Sequence, residues 1–177
     1  NDSGVITVGT AGEAVGADVS QMDYFKQAMQ GNTSASNMIP SEIPLTNELG
    51  EKELGLPTMF VSTPLKDRDG VVIGIVAIRV DVNALNDLML SLNLGKTGET
   101  YLVNKDGFML TESRFAAHLK EMGLVKKRCA LSLKLVNSET GELNEGVKQC
   151  VAGNNGFDAR GYRDYSGLLV LGVWRWL

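Results

Sequence analysis

Histidine occurs once in this chain of 177 residues, cysteine twice and proline four times, and aromatic residues make up only 6% of it. Each shortage excludes something. A single imidazole, His118, leaves no histidine set for a zinc centre or a proton relay, and a lone histidine is more often a surface or structural residue than a ligand. Cys129 and Cys150 are spaced as neither a zinc knuckle nor a CxxC redox pair. No GxSxG elbow, no GxxxxGK[ST] loop and no GxGxxG after a strand-like run is present, so nucleophile, phosphate-cradle and dinucleotide chemistry lack their usual sequence traces. Gly95-Lys96-Thr97-Gly98 resembles a phosphate loop superficially but has no upstream glycine, and it is read as an ordinary loop. The chain is accordingly expected to be no enzyme, with no cofactor and no metal. A basic excess is missing too: Lys and Arg number 17 against 21 Asp and Glu, for a net charge of −4. Such a balance offers no field to gather phosphates, so nucleic acid is not an expected partner, and the longest basic run, Lys126-Lys127-Arg128, reads as solvated surface. No apolar run approaches the roughly 18 to 20 residues that span a bilayer, and no signal peptide opens the sequence.

What is present is an ordinary globular mixture, 44% apolar and 21% charged. Val5 to Val8 is β-prone, and Asp18 or Ser20 is placed to cap a helix that runs through about Met29 and stops at Gly31. A polar stretch from Asn32 to Pro57 holds three of the prolines, and loops of that length usually carry function or mobility. Thr58 to Thr63 and Val71 to Val82 are β-branched and apolar around the turn Asp67-Arg68-Asp69-Gly70, which predicts a hairpin. Asn83 caps a predicted helix to about Leu92, with Ala84, Leu85, Leu88, Met89 and Leu92 at helical spacing.

The second half repeats this grammar. Thr100 to Val103 and Phe108 to Leu110 read as strands around Asn104-Lys105-Asp106-Gly107, and Val147 and Val151 suggest a short helix over Glu145 to Val151. Asp164-Tyr165-Ser166-Gly167 precedes Leu168 to Trp174 much as Asp67 to Gly70 precedes Val71 to Val76, each strand with a glycine inside it. A unit recurring at about a domain's length predicts an α+β chain of two tandem lobes, residues 1–92 and 93–177, each an antiparallel sheet flanked by helices.

These residues resemble the double Cache family, the tandem PAS-like sensor domains found outside the membrane in histidine kinases and chemoreceptors. Asp23-Tyr24-Phe25-Lys26-Gln27-Ala28 with Gly31 is similar to the family's pocket helix; Ser62-Thr63-Pro64-Leu65 through Gly70 and Gly74 to Asp81 follows; Leu94 through Gly107 with Thr111-Glu112-Ser113-Arg114-Phe115 looks like the opening of the membrane-proximal lobe; Tyr162 through Gly167 to Trp174-Arg175-Trp176 resembles a closing segment of sensor kinases. The sequence departs from the family in having no long helix before Val5 and no closing strand after Leu177, and its abrupt ends are those expected of a piece of a longer membrane protein.

The resemblance implies an extracytoplasmic sensor domain of a transmembrane receptor, a kinase ahead of a chemoreceptor, tethered to the membrane and dimerising through the missing N-terminal helix. In that compartment a Cys129–Cys150 bridge closing about 20 residues would contribute about 3 kcal/mol; two buried free thiols are the alternative. The resemblance also puts a small-molecule pocket in the first, membrane-distal lobe. Members that bind amino acids carry an Arg-x-Trp-Tyr helix motif and a late-strand aspartate, whereas this chain has Met22, Tyr24-Phe25 and, at the aspartate's place, Arg79. Strand alternation sets Ile75, Ala77, Arg79 and Asp81 on one face and Val76, Ile78 and Val80 on the other. If the first face lines the pocket, the Arg79 fork suits a short carboxylate flanked by Tyr24, Phe25, Phe60 and Ser62; otherwise Arg79 is an edge charge or is neutralised by Asp81. A second cavity around Tyr101, Arg114 and Asp164 is weighed against a structural Arg114–Asp164 ion pair. The reading from another class is a secreted protein-interaction module whose Asn32 to Pro57 loop binds a protein and which takes no small ligand.

Overall fold

The computed structural model describes residues 1–10, 14–47, 49–80, 82–92 and 94–177. It is a mixed α+β structure with antiparallel sheets. The chain divides into two compact units, Asn1–Val82 and Asn83–Leu177. A division after residue 92 would leave the helix over Asn83–Ser91 with the first unit. Its hydrogen bonds tie it to the second instead: Asn86 Oδ1 accepts from the Glu112 N–H at 3.0 Å, and the Thr100 hydroxyl donates to the Met89 carbonyl at 2.8 Å.

The first unit begins with α1 (Asp23–Met29), followed by four two-residue strands, β1 (Ser34–Ala35), β2 (Ile39–Pro40), β3 (Leu45–Thr46) and β4 (Lys52–Glu53), and then by the long hairpin of β5 (Pro57–Lys66) and β6 (Val72–Val80). β5 is central: it pairs antiparallel with β6 along its length and with β1 and β2 on its other edge, while β3 and β4 pair with each other. The hairpin forms where the β-branched runs predict it, and its turn shows why Asp67 and Gly70 stand there. Asp67 Oδ1 accepts from the N–H groups of Asp69 and Val71, both at 2.9 Å, and Gly70 takes φ +83°, a left-handed conformation that a side chain resists.

α1 is shorter than the sequence suggests. Asp18 spends its carboxylate on the Ser20 N–H at 2.8 Å in a local turn, so it caps no helix, and α1 opens at Met22 without a side-chain cap. Val5 to Val8 makes one bridge, Val5 with Asp18, in place of a strand.

The second unit contains α2 (Asn83–Ser91), α3 (Ala116–Glu121), α4 (Glu145–Val151), β7 (Gly156–Arg163) and β8 (Leu169–Trp174). Asn144 caps α4 by accepting from the Val147 N–H at 3.0 Å. The expected strands around Val103 and Met109 reduce to isolated bridges, Val103 with Met109 and Phe108 with Lys134. The turn before β8 repeats the first unit's chemistry: Asp164 Oδ1 accepts from the Ser166 and Leu168 N–H groups at 2.9 and 3.0 Å, and Gly167 has φ +83°. The likeness of Asp67-Arg68-Asp69-Gly70 to Asp164-Tyr165-Ser166-Gly167 is therefore a likeness of backbone geometry as well as of letters. Asn104 with Gly107 builds the same turn, accepting from Asp106 and Phe108 at 3.1 and 2.8 Å.

Packing differs between the units. In the second, Met109, Leu119, Val125, Cys129, Leu133, Leu135, Val147 and Tyr165 form one continuous buried cluster. In the first, the buried hydrophobic residues among those described are Tyr24, Phe25, Ala28 and Met38, joined by the buried polar residues Ser41, Thr58 and Ser62. The longest helix among the described residues has nine residues, and none is long and apolar enough to cross a membrane.

Candidate ligand site

In the first unit α1 lies on one face of the hairpin. Tyr24, Phe25 and Ala28, spaced one, three and four apart, are its buried residues and form its inward face. Opposed residues of an antiparallel pair share a face, and the register sets Phe60 opposite Arg79, Ser62 opposite Ala77 and Pro64 opposite Ile75. That face is the one α1 covers. The Tyr24 ring stacks on Phe60 with centroids 4.6 Å apart and planes 25° apart, and the fully buried Ser62 hydroxyl donates to the Tyr24 carbonyl at 2.9 Å. Phe25 is buried on the same helix. Burial, helped by the Glu42 carboxylate, pushes the Tyr24 phenol up to about 12.

Tyr24, Phe60 and Ser62 thus meet, and Arg79 stands on their face at the margin that α1 leaves exposed. No described carboxylate pairs with the Arg79 guanidinium; Asp81, weighed as its partner, lies outside the described residues. Ser62 differs from expectation in one respect: its hydroxyl is committed to the helix backbone, so it fixes α1 on β5 and is not held free for a ligand.

Sequence reading passed over Thr58. It is 1% exposed, on the same face as Phe60 and Ser62, and its hydroxyl has no hydrogen-bond partner among the described residues. Alternation along β5 places it on that face; only the three-dimensional packing reveals that nothing reaches it.

In the second unit the expected pair does not form. Arg114 donates to the carbonyls of Gly95 and Gly98 at 3.1 and 2.7 Å, while Asp164 serves its own turn. The buried polar cluster belongs to Glu99, which accepts from the Tyr165 hydroxyl and from the Ser113 hydroxyl, the latter at 2.7 Å. Tyr101, set edge-on to Tyr165 at 6.2 Å, is held well above the usual phenol range by burial and by the surrounding acidic groups. Cys129 and Cys150 are two separate thiols in the structure, which corrects the expected bridge. Cys129 is fully buried in the core, its N–H donating to Glu112, whereas the Cys150 sulfur on α4 faces the Arg175 carbonyl at 3.4 Å. His118 faces Glu121 at 3.6 Å, a solvent-exposed pair one turn apart on α3.

An antiparallel sheet with a helix laid on one face, present in each of two successive units, defines a class of PAS-like α+β domains. Within that class the chain shares its fold with a solved extracellular domain. It is similar to the extracellular domain of mmHK1S-Z2, a protein assigned to the histidine kinases, with a TM-score of 0.50 and 16% identity over 88% of this chain and 50% of that one. A second solved structure, the periplasmic sensory domain of the Campylobacter jejuni chemoreceptor Tlp1, matches with a TM-score of 0.47 and 19% identity over 89% of this chain and 51% of that one. The chain spans about half the length of these structures. No family model and no curated protein matches it in sequence.

Proposed function

We propose that the chain is the extracytoplasmic sensing part of a transmembrane receptor, and that its first unit binds a small carboxylate on the α1-covered face of β5 and β6. The observation that carries this reading is Arg79: an exposed guanidinium without a described carboxylate partner, directly opposite Phe60 and beside the Tyr24 stack. A guanidinium there presents a planar fork for a carboxylate, and an aromatic wall beside it shields the ligand's carbon skeleton from water. The thin apolar core of this unit supports the reading further, since a bound molecule would add to it. The membrane-tethered receptor is taken to be a kinase ahead of a chemoreceptor, dimeric, and non-catalytic in this part. A ligand that binds one arrangement of α1 on the sheet better than another shifts the population between them, which is what a sensor needs.

Thermal-shift measurement against short carboxylates, amines and sugars tests the proposal. A carboxylate at about a hundred times its dissociation constant raises stability by about 2.7 kcal/mol, roughly 5 to 10 °C for a chain of this size, and Arg79→Ala removes the shift. A shift unchanged in Arg79→Ala defeats the assignment.

The protein-interaction reading draws on a different observation. β7 and β8 turn Phe157, Leu169, Leu171 and Val173 outward on the face opposite Tyr162 and Trp174, and all four are exposed. Silence across the whole thermal-shift panel leaves that reading in place.

A further inference from the structure

Resting on the small-carboxylate reading, we infer that Thr58 is a second ligand-reading residue of the first unit, and that the ligand is a carboxylate bearing another oxygen close by, a 2-hydroxy or 2-oxo acid. Thr58 is the second residue of β5: Ile39 of β2 opposes it, and Phe60 and Ser62 follow it on the same face of the strand. It is 1% exposed and its hydroxyl has no partner. A valine has the same shape and would fill this place without any hydrogen-bonding demand, so a threonine here calls for a polar partner. Among the described residues no group supplies one. Ser62, equally buried on the same strand face, shows the contrast, because the α1 backbone meets its hydroxyl.

The same register puts Arg79 diagonally across from Thr58. Diagonal neighbours on one face of an antiparallel pair lie about 7 to 8 Å apart, within reach of a long side chain. A three-carbon acid lying along Phe60 therefore presents its carboxylate to the Arg79 fork and its second oxygen to the Thr58 hydroxyl, which either donates to a ketone or exchanges a hydrogen bond with an alcohol. A site built to hydrogen-bond a ligand oxygen discriminates strongly against the analogue that lacks it, because the buried group is again left unpaired.

The test is calorimetry on the intact chain with L-lactate, pyruvate and propionate, three acids of one skeleton that differ in the second oxygen. Lactate or pyruvate is expected to bind at least about tenfold more tightly than propionate. Thr58→Val abolishes that preference, and Thr58→Ser keeps it. Since the unliganded protein gives Thr58 no partner, Thr58→Val should melt no lower than the wild type, which separates ligand reading from a structural role. Equal binding of all three acids, or a preference that survives in Thr58→Val, overturns the role of Thr58 and leaves the carboxylate reading intact. Binding of none of the three overturns both.

Discussion

Replacing Ser62 by alanine perturbs a contact whose strength follows from its surroundings. The hydroxyl is fully buried and donates at 2.9 Å to the Tyr24 carbonyl, in the first turn of α1. A neutral hydrogen bond of this kind contributes about 1 kcal/mol net, and the hydroxyl-sized gap adds a few tenths more. The Tyr24 carbonyl is not orphaned, because as a helix residue it still accepts from the N–H four residues on. The total is about 1 to 1.5 kcal/mol, roughly 2 to 6 °C in melting temperature for a chain of this length. Thr58→Val on the same strand face removes a hydroxyl that bonds to nothing, so its expected change is zero or slightly positive. Scanning calorimetry of both variants in ligand-free buffer checks the pair. A Thr58→Val loss equal to that of Ser62→Ala would show that Thr58 already has a partner in the protein, and an unchanged Ser62→Ala would show that α1 is not held to β5 by this bond.

Three further outcomes follow from the structure. Glu112→Ala should lower stability by about 3 kcal/mol, because the carboxylate accepts from the buried Cys129 and Ala130 N–H groups at 2.9 and 3.2 Å, and Glu112→Gln, which keeps one acceptor, should recover part of the loss; equal stability of all three proteins in urea melts would contradict the role. Two thiols should titrate per chain in denaturant without reductant while both react slowly in the folded protein, where burial pushes Cys129 up to about 11 and also raises Cys150; a count of zero in denaturant would restore the bridge. Alkaline pH should destabilise the fold: the Cys129 thiol and the Tyr24 phenol, raised from 9.0 to about 11 and from 10.0 to about 12, hold their protons more tightly folded than unfolded. Their contribution is complete below about pH 9 and is lost as the pH rises towards 12. Chemical denaturation from pH 8 to 11.5 measures it, and a flat profile would contradict the burial of both groups.

Local chemistry made much of this fold readable beforehand. The hairpin of β5 and β6 is announced by β-branched runs around Asp67 and Gly70, and α4 by Asn144 ahead of Val147 and Val151. β7 was not readable because Asp158 and Gly161 interrupt it: Asp158 turns its carboxylate onto the Arg160 and Gly161 N–H groups, and the register shifts between Asp158 and Tyr162. Val5 to Val8 has good strand propensity but a short partner: Val5 bridges to Asp18 and Ile6 bonds to the Gly16 and Ala17 backbone, and among the described residues the pairing goes no further. The spacing of the two cysteines carries no geometry, and in the structure Cys129 and Cys150 are free thiols in different surroundings. For the candidate site, alternation along β6 placed Arg79 on its face, and the antiparallel register confirms that this face is the one carrying Ser62. What alternation could not supply were the contacts across 38 positions that spend the Ser62 hydroxyl on α1 and leave the Thr58 hydroxyl without a partner.

The most direct measurement is a crystal structure of this chain grown in a saturating concentration of L-lactate or pyruvate. The account predicts density for the acid on the α1 side of β5 and β6, its carboxylate on Arg79 and its carbon chain against Phe60. Density for the acid elsewhere, with Tyr24 and Phe60 stacked as before and Arg79 in open solvent, would contradict it.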